Sequence, residues 1–333
     1  MKRTTIIFIL ILILILGGFF YGRAKVYHSQ GDNLKKVTFQ VEKGEGLSEI
    51  AKRLKEEDLI SGKIFFYYYM QVNNLLSKVL PGEYELSGKL TIPEIATILT
   101  QKKENFIKLT FPEGWTMKQM SERLTENGLN GEGFLQLAKN PDEFRTEFVF
   151  LEDKKIKNLE GFLFPDTYFF AKDIEAKSII FRMLNNFDNK LTAELRQKIV
   201  DQKRTISESI ILASILEREV KTYEDRRLVA GIIENRLSVG QALQCDSTLA
   251  YILGDNKKQY TFVESRTETP YNTYINRGLP PGPIANPGIS SINAALNPED
   301  TNYNYFLTDL KTGNTIFSVN FEQHKANKIK YGL

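Results

Sequence analysis

Histidine and cysteine are almost missing from this chain. Among its 333 residues there is one cysteine, Cys245, and there are two histidines, His28 and His324. A single cysteine excludes an intramolecular disulfide and a cysteine-based metal cluster. Two histidines leave little room for a His-rich metal site or a Ser/His/Asp triad. P-loop, G-x-G-x-x-G, G-x-S-x-G and H-E-x-x-H patterns are also absent, which removes the common nucleotide, hydrolase-elbow and zinc-protease signatures. The formal net charge of +3 is too close to balance to suggest a nucleic-acid surface. Charged and apolar fractions of 26% and 42% are those of a globular protein, and the length allows two or three domains. If the chain is an enzyme, its chemistry rests on carboxylates.

Lys2 and Arg3 precede an uncharged run, Thr4 to Gly22, in which Ile6 to Leu16 is unbroken Ile, Leu and Phe. Such a run just spans a hydrocarbon core of about 30 Å. Basic residues before it put the N-terminus in the cytoplasm and the body of the chain outside. A cleaved signal peptide is the competing reading, but Gly17-Gly-Phe-Phe-Tyr-Gly22 has no A-x-A-like site. The expectation is a transmembrane anchor with a short cytoplasmic start over 1–22 and a polar juxtamembrane stalk over 23–36.

Two stretches match at an offset of 70, since Gly44, Leu47, Ile50, Arg53, Leu54 and Leu59 recur as Gly114, Met117, Met120, Arg123, Leu124 and Leu129. The match resumes where Leu80-Pro81 and Tyr84 correspond to Phe164-Pro165 and Tyr168. Each half reads as strand, Gly turn and amphipathic helix, then a second strand and helix. Two related α/β units are expected, about 37–103 and 107–190, the second with an insertion near 140–158. The first unit opens Val-x-x-Gly-x-x-Leu-x-x-Ile-Ala and looks like the start of a LysM module, a type that binds N-acetylglucosamine-containing glycans. A packing domain with no ligand is the alternative.

Thr205-Ile-Ser-Glu208 has the form of a capping box before a run rich in Ile, Leu and Ala. At about 100° per residue, Ile206, Ile210, Ala213 and Val220 lie within roughly 60° of Glu217, while Glu219 and Glu208 project to the other side. A carboxyl group in an apolar stripe either finds a partner or has its pKa raised. Glu217 is therefore a candidate general acid; the competing reading, which the pattern alone favours, is a structural Glu paired with an Arg such as Arg226, Arg227 or Arg236.

Farther on, Gln244, Asp246, Ser247 and Thr248 concentrate polar groups between two helical segments. Tyr271-Asn272-Thr-Tyr274 then leads into a Pro/Gly-rich stretch, 278–288, which can be neither helix nor central strand. Aromatic rings beside amide side chains suit a sugar, though an ordinary structural loop fits the pattern as well. Tyr303 to Thr308 and Thr315 to Val319 read as a hairpin. Asn320 caps a final helix, whose His324 reads as structural.

With these pieces in order, the chain resembles the MltG (YceG-like) endolytic murein transglycosylases. The resemblance rests on Phe111-Pro-Glu-Gly-Trp115, Glu160 to Tyr168, Leu212-Ala-Ser-Ile-Leu-Glu217-Arg-Glu219, Asn235-Arg-Leu237, Leu243-Gln-Cys-Asp246, Tyr271 to Tyr274 and Gly278 to Gly288. Cys245 departs from the family, which usually has Thr or Ser there. The resemblance implies a lyase acting on the β-1,4 bond between N-acetylmuramic acid and N-acetylglucosamine in peptidoglycan. Glu217 would protonate the glycosidic oxygen and then take the proton of the muramoyl C6 hydroxyl as it closes on C1. The product would be a 1,6-anhydromuramoyl end, with no metal or organic cofactor. Gln244, Asp246, Tyr271, Asn272, Tyr274 and Glu160 would position the substrate, although Glu160 could instead hold domains together. The resemblance also implies a bacterial cytoplasmic-membrane protein with an extracytoplasmic catalytic domain. It would act on nascent glycan strands beside glycan-polymerising penicillin-binding proteins or synthase complexes, as a possible terminator of polymerisation.

The fold class expected is therefore α+β: one N-terminal transmembrane helix, a LysM-like subdomain over 37–103, and a second related α/β unit merging into a mixed α/β catalytic domain over 104–333. Two other functions remain open. One is a muramidase, with Asp246 or Glu160 as the second carboxylate. The other is a non-enzymatic, membrane-anchored glycan-binding scaffold.

Overall fold

In the computed structural model, which describes residues 14, 16–18, 20–28, 36–42, 44–100, 106–254, 257, 260–309 and 311–332, the chain divides into two units, Met1–Phe106 and Ile107–Leu333. Most of the anchor expected over 1–22 lies outside the described residues. Among the described residues no helix is long and apolar enough to cross a membrane. Residues 20–27 form helix α1, and its Val26 is buried in the core of the first unit.

In that unit the alternation of Val37-Thr-Phe-Gln-Val41 sends Phe39 and Val41 inward along strand β1 (Val37–Val41). Helices α2 (Leu47–Glu56) and α3 (Lys63–Val72) follow, then strand β2 (Gly82–Leu86) and helix α4 (Ile92–Thr100). β1 and β2 pair antiparallel with Phe39 opposite Tyr84. Ile50, Leu54, Phe66, Met70, Ile95 and Leu99 fill the space beneath them. α4 starts where Thr91 and Glu94 close a capping box: the Thr91 N–H donates to the Glu94 carboxylate at 2.8 Å.

The second unit begins with the same order: strand β3 (Phe106–Thr110), helices α5 (Met117–Glu126) and α6 (Gly131–Ala138), strand β4 (Thr167–Ala171) paired with β3, and helix α7 (Ala176–Lys190). The repeat extends to the backbone. Gly44 and Gly114, 70 positions apart, have φ of +87° and +78°, which explains glycine at both turns. Asp58 and Gly128, also 70 apart, end α2 and α5 in the left-handed region at +56° and +77°. The Tyr84 hydroxyl donates to the Leu80 carbonyl at 2.5 Å, and the Tyr168 hydroxyl donates to the Phe164 carbonyl at 2.7 Å. Two short 3-10 turns, Pro141–Phe144 and Val149–Leu151, occupy the inserted stretch.

The rest of the second unit is mostly helical: α8 (Ala193–Asp201), α9 (Ile206–Glu219), α10 (Tyr223–Ser238), α11 (Asp246–Leu253) and α12 (Ile289–Ala295). A hairpin of β5 (Tyr305–Thr308) and β6 (Thr315–Ser318) leads to α13 (Phe321–Tyr331). α9 is the central rod. Ile210 to Leu216 are buried without a break, and α8, α10, α11 and α12 all pack on it. In α10, Gly231 allows a close approach: a Cβ there would stand 2.0 Å from the Glu299 carbonyl oxygen. Gly231→Ala is expected to lower stability by about 1–3 kcal/mol, because backbone rather than a mobile side chain must yield; urea unfolding followed by circular dichroism measures it.

Candidate active site

The capping box sets the start of α9. Thr205 Oγ1 accepts the Glu208 N–H at 3.1 Å, and the Glu208 carboxylate accepts the Thr205 N–H at 2.9 Å. The helix stops at Val220, whose backbone is extended. Glu217 and Glu219 therefore share the last turn but stand about 200° apart around the axis, in different surroundings.

Glu217 is enclosed and paired. Its Oε1 lies 2.7 Å from Arg226 Nη2, its Oε2 accepts the Gly288 N–H at 2.9 Å, and the two side chains are only 5% and 9% exposed. Of the three arginines that the sequence offers as partners, Arg226 is the one that Glu217 meets. Glu113 lies against the same Gly288. Partial burial and the Glu217 charge push the Glu113 carboxyl upward, and Arg226 opposes the rise.

Glu219 faces a cavity of about 530 Å³ that it lines together with Gln244, Asp246, Ser247 and Tyr274; Glu217 is not among the lining residues. The Ser247 N–H, in the first turn of α11, donates to Glu219 Oε1 at 3.0 Å. Burial pushes the Glu219 carboxyl above the ordinary range and the Asp246 charge adds to the rise, while Ser247 and Arg218 hold it back. The Tyr274 hydroxyl donates to Asp246 Oδ1 at 2.5 Å. Burial, then Asp246, drives that phenol far upward, so it remains a donor. Gln244 has φ +54°, a left-handed backbone uncommon for such a residue, and its N–H bonds the Thr273 carbonyl at 3.0 Å.

The remaining residues expected to position substrate lie elsewhere. Asn272 is fully buried and consumed by its own loop: its amide donates to the carbonyls of Ser265 and Thr267 at 3.0 and 2.8 Å and accepts the Tyr274 N–H at 2.9 Å. It shapes the turn that carries Tyr274. Tyr271 packs on Tyr251 and lines a separate, smaller cavity of about 210 Å³ beside Pro281 and Pro283. Glu160 is buried, and its Oε1 accepts the Met117 N–H and the Asn286 amide, each at 2.8 Å. Asn286 in turn accepts the N–H groups of Gly161 and Leu163, so this cluster ties the 278–288 loop to the start of α5.

Burial raises the Glu160 carboxyl to about 8 against these donors. A raised acid binds its proton more tightly in the folded state than in the unfolded one, so between the ordinary carboxylate range and about 8 stability falls as pH rises. The unfolding free energy is expected to decline across that window by up to a few kcal/mol. Glu160→Gln, which keeps the accepting oxygen, is expected to flatten the decline in chemical denaturation series at stepped pH.

Several cavity residues were not read from the sequence as functional: Arg236 on α10, Tyr305 on β5, and His324 and Lys328 on α13. The His324 ring stacks on Tyr305 with centroids 5.2 Å apart. Burial, then Lys328 and Arg236, lower its pKa, so the ring is neutral near pH 7. The strand alternation and the Asn320 cap were legible, but nothing in them says which face meets the cavity. Among the described residues, no group of three or more His, Cys, Asp or Glu side chains is placed to hold a metal ion.

Comparisons with known proteins place the chain in a family. A YceG-like family model matches residues 39–330. The chain is 32% identical to the endolytic murein transglycosylase of Bacillus subtilis (strain 168), over 96% of this chain and 91% of that protein. It is 28% identical to the endolytic murein transglycosylase of Streptococcus pneumoniae serotype 2 (strain D39), over 98% of this chain but 64% of that longer protein. A crystal structure of a yceG-like protein from Listeria monocytogenes superposes with a TM-score of 0.62 at 33% identity, covering 88% of this chain and 99% of that one. With the family model matching residues 39–330, far more than half of its length, the chain belongs to the YceG-like family.

Proposed function

We propose that this protein is a lytic transglycosylase that cuts the glycan strands of peptidoglycan between N-acetylmuramic acid and N-acetylglucosamine, with Glu219 as its acid–base residue. One observation carries the residue assignment. Glu219 is the carboxyl on α9 that lines the same cavity as Gln244, Asp246 and Tyr274, whereas both oxygens of Glu217 are engaged by Arg226 and Gly288. Burial favours the protonated acid, the form needed to protonate the leaving glycosidic oxygen. As the C1–O bond breaks, the muramoyl C6 hydroxyl attacks C1, and the Glu219 carboxylate takes the hydroxyl proton. No water is consumed, the acid is restored, and a 1,6-anhydro end results. One carboxyl suffices because the nucleophile is held within the substrate. Asp246, oriented by the Tyr274 hydroxyl, and Gln244 supply hydrogen bonds for sugar hydroxyls and N-acetyl groups. The Tyr305–His324 pair supplies an aromatic surface.

The uncharged run over 4–22 supports a single-pass anchor in the cytoplasmic membrane, with the catalytic unit on the outer side near emerging strands and the synthases that polymerise them. The β-α-α-β order of the first unit and its Val-x-x-Gly start support a LysM-like glycan-binding module. Asp246 favours one second reading, a hydrolase in which a second carboxylate in the same cavity activates water. The test is to digest purified peptidoglycan with the full chain, Glu219→Gln and Glu217→Gln, and to weigh the new ends. Anhydromuramoyl ends lost only in Glu219→Gln support the lyase. Ends heavier by one water would give the hydrolase instead.

A further inference from the structure

Helix α3 is apolar on both of its faces. Phe66 and Met70 fill the core of the first unit, while Ile64, Tyr67, Tyr68 and Val72 are 76%, 44%, 62% and 59% exposed. At about 100° per residue these four fall within an arc of about 140°, opposite the buried pair. An apolar helix normally hides such a face, and an exposed one marks a surface that is covered in the working state. Two features of the chain define what covers it.

The first is charge. From Leu59 to Gly82 there is no acidic residue, and the only charges are Lys63 and Lys78. Nor is there an acidic residue between the initial Met1 and Asp32. The second is position. α1 includes the last residues of the uncharged run 4–22 and meets α3 through Tyr21 against Phe65, with ring centroids 6.1 Å apart, and Tyr27 against Tyr69 at 6.4 Å. Arg23 and Lys25 on α1 lie over the Tyr27 and Tyr21 rings. Tyrosine, aliphatic and basic side chains without carboxylates are the composition of a helix in the headgroup layer of a bilayer.

We infer that α3 lies flat in the headgroup zone of an anionic lipid bilayer, with Ile64, Tyr67, Tyr68 and Val72 inserted among the upper acyl chains. This rests on the anchor reading of residues 4–22. Ten residues of helix are about 15 Å long, too short to span but suited to an in-plane contact. The role is distinct from the anchor's: α3 would fix the orientation of the first unit on the membrane.

The test uses the full chain in vesicles of phosphatidylglycerol and phosphatidylethanolamine, with Tyr68→Trp introduced beside the native Trp115 of the second unit. Circular dichroism checks that the variant folds. Lipids brominated near the headgroup are expected to quench the new indole and leave the Trp115 emission of the unsubstituted chain unchanged. If the chain survives an alkaline carbonate wash in the vesicles but the new indole is not quenched, the α3 inference falls and the anchor stands. If the wash strips the chain but quenching was seen before it, the anchor reading falls and α3 is a peripheral contact. An indole that is unquenched by lipid, yet shifts to the blue as chain density in the vesicle rises, would mean a second copy covers the stripe and would overturn the proposal.

Discussion

Glu219→Gln is expected to lower the rate of glycan cleavage by roughly 10³-fold, in the middle of the range for removal of a general acid, with little change in thermal midpoint. The substitution is isosteric, and Gln can still accept the Ser247 N–H that Glu219 Oε1 accepts at 3.0 Å. What it loses is the proton. Because burial penalises the charged form of Glu219, a neutral amide there is expected to leave stability equal or higher. The same burial gives a pH signature. The acid must be protonated to act, so cleavage is expected to fall as pH rises through a midpoint above the ordinary carboxylate range. Mass spectrometry of released muropeptides, with circular dichroism melts alongside, reads both effects. Undiminished cleavage by Glu219→Gln would end the assignment.

Glu217→Ala is expected to damage the fold rather than the chemistry. It would leave Arg226, 9% exposed at its side chain, without its carboxylate and the Gly288 N–H without its acceptor. Breaking a buried pair from one side costs about 3–5 kcal/mol, a fall in thermal midpoint of roughly 10 °C for a unit of this size. Removing both partners with Glu217→Ala and Arg226→Met is expected to restore part of the loss, because no uncompensated charge then remains inside. The informative contrast is Glu217→Gln, which preserves shape. If it melts like the parent and yet does not cleave, Glu217 is the acid, and the cavity assignment passes from Glu219 to the Glu113–Glu217 side of the helix.

Much of the architecture is local and was therefore visible. The 70-residue repeat appears because the same turns are needed twice: Gly44 and Gly114 both take positive φ, and Leu59 and Leu129 both close back on α2 and α5. The Thr205–Glu208 and Thr91–Glu94 caps lie within four residues, and the structure has both. The β5–β6 hairpin and the Asn320 cap of α13 follow from equally short-range signals.

The sequence by itself determined these turns, caps and amphipathic faces, and the motif order that carries the family. It also showed that Glu217 sits on the apolar face of α9. Only the tertiary structure decided what that means, since the face is shared with Arg226 and Gly288, 9 and 71 positions away. It likewise decided that the opposite face, with Glu219, looks onto Gln244, Asp246 and Tyr274, and that Asn272 and Glu160 spend their polar atoms on the protein. Periodicity reports which side of a helix is buried. Whether a buried carboxyl meets a cation or a cavity depends on residues brought in from distant elements, and no local pattern records their arrival.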